Sequence, residues 1–173
     1  MRRLLLLRHG KAAPPDGGED FERPLTRRGR EAAARMGAYL GDEGLTPDLV
    51  LVSTARRARE TFHLARAALA EVASRPEASI YEASAGHLLS LVRGTEPGIG
   101  SLMLVGHNPG FETLALMLSG EAEGDALERL ERKYPTAGLA VIEAEGDWAG
   151  FRRGGARLAR FVTPRLLGAG EDD

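Results

Sequence analysis

Two histidines and two arginines stand at the ends of apolar runs in this sequence. Arg8-His9-Gly10 follows four consecutive leucines, Gly106-His107-Asn108-Pro109 follows the apolar stretch 101–105, and the run 49–52 stops at Ser53, with Arg57 a few residues on. Imidazole is a competent nucleophile near neutral pH when it is kept neutral and held in one tautomer. Guanidinium grips a phosphate with two parallel hydrogen bonds. Phosphoryl transfer asks for both, an in-line nucleophile and cations on the equatorial oxygens. On this reading His9 attacks phosphorus with one ring nitrogen while the other donates to a backbone carbonyl within residues 10–13. Gly10 lets the backbone turn and approach the phosphate. Arg8, Arg57 and His107 hold the oxygens, His107 as a cation or at least as a donor. The two histidines therefore need different surroundings.

Each residue also has a plainer explanation. A histidine at a strand end is commonly a loop or capping residue, and an arginine near a helix start is commonly solvated. Against that, charges directly after a buried strand cost solvation free energy unless they are paired or used. Three strand ends that are polar in the same way point to one shared crevice, because ligands of open α/β sheets bind beyond the carboxyl ends of the strands. The start of the helix after Ser53 adds free N–H groups and a partial positive charge, which suits an anion.

The elements that must position these groups can be read from periodicity. Residues 4–7 form a continuous apolar run, as in a central parallel strand. Residues 11–23, with Pro14, Pro15, Gly17 and Gly18, are a loop. Thr26 caps a helix over 27–40 whose inner face is Ala32, Ala33, Met36, Gly37 and Leu40. A strand over 49–52 leads into a helix that the spacing of Ala58, Phe62, Ala65, Leu69 and Val72 carries to about residue 72. A short strand is expected over 79–82 and a short helix over 87–93. The strand 101–105 leads to a helix with Asn108 as cap, Pro109 in its first turn, and Phe111, Leu114, Ala115 and Leu118 inward. Strands over 139–145 and 156–162 flank a hairpin-like connection. Strands alternating with helices predict a three-layer α/β/α sandwich with a mainly parallel sheet and antiparallel strands at one edge. The expected organisation is one domain over 1–167 and a frayed tail over 168–173.

Composition removes other chemistries. With no cysteine among the 173 residues there is no disulfide scaffold, thiolate zinc site or cysteine phosphatase. A net charge of −2 gives no broad basic field for nucleic acid or anionic lipid. Only Lys11 and Lys133 are lysines, a skew that genome composition also explains. The apolar run at the start is too short for a signal peptide and nothing is long enough to span a membrane, so a cytoplasmic protein is expected. The four histidines are scattered, none at helical metal spacing, so neither metal nor cofactor is expected.

The motifs resemble those of the histidine phosphatase superfamily, with its phosphoglycerate-mutase-like fold. Residues 5–10, Leu-Leu-Leu-Arg-His-Gly, look like its signature motif. Residues 53–61, from Ser53 to Thr61, resemble its second block, in which Arg57 falls on the phosphate. Gly106-His107-Asn108-Pro109 looks like its third block. Residues 20–26, with Arg23-Pro24-Leu25-Thr26, are most similar to the SixA-type phosphohistidine phosphatases, and that resemblance nominates Arg23 for the phosphate pocket. Tyr81-Glu82-Ala83-Ser84 and Tyr134-Pro135-Thr136-Ala137 look like further blocks of that group. Gly10 and Asn108 join the expected substrate contacts.

Relatives that cleave phosphomonoesters use a carboxylic acid to protonate the leaving alkoxide, and Glu82 is the best carboxylate for that role, although an exposed glutamate at a strand end has no need of a role. Phosphohistidine needs less help, because imidazole leaves readily once its ring is protonated. The resemblance thus implies a phosphorylated protein as partner, with a small phosphoester as the rival substrate. A catalytically silent module that reads phosphorylated partners is the other class of function. It has little reason to keep His9 and His107 beside the arginines. His63 and His87 read as surface or capping residues, and Trp148 as either a contact residue or an edge of the core.

Overall fold

The computed structural model describes residues 1–170. Its strands are β1 (Arg2–Arg8), β2 (Leu49–Val52), β3 (Ala73–Pro76), β4 (Ser101–Gly106), β5 (Ser119–Ala122), β6 (Leu139–Ala144) and β7 (Ala156–Val162). Its helices are α1 (Arg27–Asp42), α2 (Arg56–Arg66), α3 (Ala85–Arg93), α4 (Gly110–Leu118) and α5 (Ala126–Arg132). The described strands make one sheet in the order β3-β2-β4-β1-β6-β7-β5. β1, β2, β3 and β4 run parallel. β6 lies antiparallel to both β1 and β7, and β5 closes that edge parallel to β7. None of the helices described is long and apolar enough to cross a membrane.

The four leucines of β1 are buried on both faces of the sheet, which is why the run does not alternate. Leu4 and Leu6 pack with Leu102, Leu104 and Ile142 under α3, α4 and α5. Leu5 and Leu7 pack with Met103, Val105 and Val141 under α1 and α2. The sheet is thus the middle of three layers. The face predicted for α1 is the buried one, and Thr26 caps it, its Oγ1 accepting from Gly29 N at 3.0 Å. Trp148 belongs to the core. It is 2% exposed, stacks on Phe151, and donates to Ile99 O at 2.9 Å.

Three expectations change. The second helix ends at Arg66, because the chain must turn back to pair β3 with β2. Ala68 and Leu69 donate to carbonyls three residues back, and Val72 reaches its buried position from that turn. The strand expected over 79–82 is a 3₁₀ turn at Ala78–Ile80, and the true strand, Ala73–Pro76, precedes it. That strand is an exposed edge with no apolar alternation to report it, and its proline sits where no ladder donor is needed. Between residues 119 and 132 a strand and a helix, β5 and α5, stand where none was foreseen. At the far end Gly168 and Ala169 close a hydrogen-bonded turn onto Arg165 and Pro164, and the remainder of the tail expected from residue 168, 171–173, lies outside the described residues.

Candidate active site

The sheet order places the ends of β2, β4 and β1 side by side. Backbone ladder bonds continue past the strand ends, His9 N to Gly106 O at 2.9 Å and Ser53 N to Val105 O at 3.0 Å. That continuation sets His9, His107 and Ser53 in a row at the carboxyl edge of the sheet. Arg57 enters from the first turn of α2. His9, Arg57 and His107 are 8%, 7% and 9% exposed, rare burial for such groups unless each is used.

The rings of His9 and His107 are 5.2 Å apart between centroids and tilted by 52°. His9 Nδ1 lies 2.7 Å from Gly10 O. A carbonyl can only accept, so Nδ1 carries the proton and the neutral ring keeps its lone pair on Nε2. Burial is the main cause of a pKa lowered to about 3, with the Gly10 carbonyl pulling back and the charges nearby pushing the same way as burial. His9 is therefore neutral at pH 7.

His107 departs from its expected cationic state. Burial first, then the Arg57 charge, lowers its pKa to about 4. Its Nε2 lies 2.7 Å from Ser53 Oγ. The fully buried Ser53 hydroxyl accepts from Ala55 N at 3.3 Å, which leaves its own proton for His107 Nε2. His107 then carries its proton on Nδ1, a buried atom with no hydrogen-bond partner. The ring is a neutral donor, and the donor half of the expectation is the half the geometry allows.

Gly10 serves by close approach. A Cβ there would stand 2.6 Å from Gly29 O, and one on Gly29 only 2.2 Å from Lys11 O, so segment 9–11 lies directly on the first turn of α1. Gly10 N donates to Thr61 Oγ1, which donates in turn to Arg57 O at 2.7 Å. The loop after His9 is thereby tied to α2.

Arg8 donates to Tyr134 O at 2.8 Å. Asn108 has both ends of its amide committed, Nδ2 to Tyr134 O and Oδ1 to Glu112 N, as a cap on α4. Tyr134, fully buried, donates its hydroxyl to Leu6 O. Ala137 N donates to His9 O at 2.9 Å with Ala137 at φ 59°. Glu82 has the same φ, and among the described residues these two are the non-glycine ones in the left-handed region. Such backbone is held only where its surroundings enforce it. Glu82 follows the 3₁₀ turn rather than a strand, and its side chain is exposed. His63 and His87 are exposed, His87 in the capped first turn of α3. Among the described residues no three His, Asp or Glu side chains are grouped to hold a metal ion.

Sequence reasoning missed a carboxylate. Asp20, in a 3₁₀ turn of the 10–26 loop, takes Arg57 Nη2 on Oδ2 at 3.0 Å, and its backbone O takes Arg57 Nη1 at 2.8 Å. Arg23 donates to Asp20 Oδ1 at 3.0 Å and to Ala13 O at 2.8 Å. Tyr81 donates to Asp20 Oδ2 at 2.6 Å, and its ring meets His107 edge-on at 5.5 Å. The Tyr81 hydroxyl first, then Arg23 and Arg57, hold the Asp20 carboxyl well below the usual carboxylate range, and Tyr81 is pushed up to about 12. Two arginines thus converge on the one carboxylate of Asp20. The signals available were the Asp20 and Tyr81 blocks themselves, whose residue types carry no periodicity.

Known proteins resemble this chain. Over 162 residues the chain is 38% identical to an uncharacterized protein of Mycobacterium tuberculosis, a match covering 92% of this chain and all of that one. The candidate phosphohistidine phosphatase SixA of Agrobacterium tumefaciens superposes with a TM-score of 0.78 at 35% identity, over 94% of this chain and 98% of that one. Its counterpart from Nakamurella multipartitia gives a TM-score of 0.83 at 26% identity, over 94% and 96%. Residues 4–94, which hold Arg8, His9, Arg23 and Arg57, match the histidine phosphatase superfamily, branch 1. With its phosphoglycerate mutase-like α/β fold, paired histidines and similarity to SixA phosphatases, the chain belongs to the histidine phosphatase superfamily.

Proposed function

We propose that this phosphatase works through a phosphohistidine intermediate on His9 and hydrolyses phosphohistidine on a protein in the cytoplasm, without a metal. The observation that carries the reading is the His9 Nδ1 bond to Gly10 O, which fixes the tautomer that leaves Nε2 as nucleophile in a ring kept neutral by burial. In the first step Nε2 attacks phosphorus and the bond to the leaving nitrogen breaks. In the second, water attacks the phosphorylated His9, the P–N bond breaks, and inorganic phosphate leaves. Arg8, Arg57 and His107 Nδ1–H are the groups assigned to the equatorial oxygens, with Arg23 behind Arg57. The Gly10 N–H is held by Thr61, so Gly10 contributes shape rather than a bond.

The leaving group favours phosphohistidine. Asp20, the acid held nearest the arginines, is kept ionised by them and by Tyr81, so it has no proton for an alkoxide. Glu82 is the carboxylate for the rival reading, a small phosphomonoester. It follows Tyr81 after the 3₁₀ turn and is exposed.

The test is turnover of a histidine-phosphorylated protein, with phosphoserine as control and a chelator arm. Expected are phosphate release that survives chelation, none with His9→Ala, and an acid-labile, base-stable label on the wild-type chain after quench. Binding without a trapped label would instead mark a silent reader. Efficient phosphoserine cleavage lost in Glu82→Gln would favour the monoester reading.

A further inference from the structure

One turn after Arg57, on the same buried face of α2, stands Thr61, fully buried and without a part in the proposed reaction. Its hydroxyl makes two hydrogen bonds. Oγ1 donates to Arg57 O at 2.7 Å and accepts from Gly10 N at 2.9 Å. The first bond spends the hydroxyl proton, so toward Gly10 the oxygen acts as acceptor. A threonine turned back onto its own helix in this way slightly destabilises that helix. α2 therefore has no need of the hydroxyl, whereas the buried Gly10 N–H needs an acceptor.

The Gly10 N–H belongs to the peptide that joins His9 to Gly10. That peptide is held at both ends, His9 O by Ala137 N at 2.9 Å and Gly10 N by Thr61. The Cα of Gly10 is in turn pressed against Gly29, where a Cβ would stand 2.6 Å from Gly29 O. From this clamped position the next carbonyl, Gly10 O, faces His9 Nδ1 at 2.7 Å. Glycine has little conformational preference of its own. The direction of that carbonyl must come from what grips the residue, and Thr61 is a side chain that grips it.

We propose that Thr61 is a positioning residue for phosphoryl transfer: by holding the Gly10 amide it keeps the Gly10 carbonyl on His9 Nδ1. Through its bond to Arg57 O it also ties the loop of the nucleophile to the helical turn that carries the guanidinium, so the two are set relative to each other. The proposal rests on the reading of His9 as nucleophile and names what fixes its tautomer. That tautomer is then a property of α2 as much as of the Arg8-His9-Gly10 segment.

Thr61→Val removes the hydroxyl at nearly constant shape and leaves the Gly10 N–H facing a methyl, whereas Thr61→Ser keeps the hydroxyl. kcat and KM are measured on a histidine-phosphorylated protein, and the protonated nitrogen of His9 is read by nitrogen NMR of the imidazole rings at neutral pH, the His9 signals being those absent from His9→Ala. In wild type Nδ1 should carry the proton. Thr61→Val should lower kcat about tenfold with KM almost unchanged, and move part of the His9 population to the Nε2–H tautomer. Thr61→Ser should recover most of both effects. Should Thr61→Val fail to fold, Thr61→Ala is read in the same way. An Nδ1–H tautomer unmoved in a variant without the hydroxyl overturns the proposal whatever the rate does. Equal losses in Thr61→Val and Thr61→Ser overturn it too, since packing and not the hydroxyl would then be at work, and so does a lowered melting temperature with kcat intact. A His9→Ala variant that keeps its turnover refutes the nucleophile reading instead, and is told apart because the tautomer still moves in Thr61→Val.

Discussion

The pH dependence of stability tests the electrostatics that the proposed role of His9 as nucleophile requires. His9 is lowered from 6.5 to about 3 in the fold and His107 to about 4. Both are neutral in the folded chain at a pH where the unfolded chain is protonated. Between pH 6.5 and those lowered values the unfolded state binds more protons, so stability is full above pH 6.5 and falls as the solution is acidified. Each unit below 6.5 costs about 1.4 kcal/mol per histidine, so acidification from pH 7.5 to pH 5 removes about 2 kcal/mol for each and about 4 kcal/mol together. The Asp20 carboxyl, held low, loses its contribution only at more acid pH and leaves this window clear. Urea unfolding at pH 7.5 and 5 measures the difference, with the slope m checking that the surface exposed on unfolding is unchanged. His9→Asn retains a donor for Gly10 O and cannot titrate, so its drop should be about 2 kcal/mol. Replacing both histidines should nearly flatten the window. An equal acid drop in wild type and both variants would show that His9 and His107 are not held neutral by burial, and the assignment of a neutral nucleophile would go with it.

Other outcomes follow from single contacts. Gly29→Ala puts a methyl 2.2 Å from Lys11 O, against backbone that cannot move without shifting His9, so a loss of about 2–3 kcal/mol is expected, read as a melting temperature lower by about 5–10 °C. Ser53→Ala removes the hydroxyl that fixes the His107 tautomer; kcat/KM should fall about tenfold, with the acid limb of the rate profile moved, for the loss of one buried hydrogen bond of about 1.4 kcal/mol. Asp20→Asn takes a negative charge off Arg57 and Arg23, and inorganic phosphate, as a product inhibitor, should bind severalfold tighter; unchanged or weaker inhibition would mean that Asp20 chiefly orients the arginines. Tyr81→Phe removes a competing donor from the same carboxylate while leaving the ring against His107, so Asp20 should hold Arg57 more strongly and phosphate inhibition should weaken by a small factor; tighter inhibition would refute the competition.

Much of this was legible because the strands that build the site are the buried ones. β1, β2 and β4 are apolar on both faces, and each ends where a polar side chain begins. Burial punishes charge, so the point where the apolar run stops marks the edge of the sheet, and Arg8, His9, Ser53 and His107 stand there for that reason. A backbone carbonyl within residues 10–13 was expected to hold the second nitrogen of His9, and Gly10 supplies it. Elements on the surface left no such mark. Ala73–Pro76 is exposed throughout, and Ser119–Ala122 carries nothing apolar larger than alanine, so neither strand has a periodicity to detect.

The missed half of the site obeys the same physics. Asp20 and Tyr81 come from 3₁₀ turns that owe their places to contacts far away in sequence, Asp20 reaching Arg57 across 37 positions and Tyr81 reaching Asp20 across 61. Nothing local requires either side chain, and no burial pattern can encode it. What fixes them is charge. Arg57 is 7% exposed, and a guanidinium that deeply placed needs an anionic partner when no substrate supplies one. Asp20 fills that need in the free enzyme, from a loop that the sheet does not constrain. On the proposed function, the carboxylate that pairs with these arginines is also the group an arriving phosphoryl must displace or share. The sequence pattern therefore shows the proposed nucleophile and its cations but is silent about Asp20, the carboxylate that pairs with them in this structure.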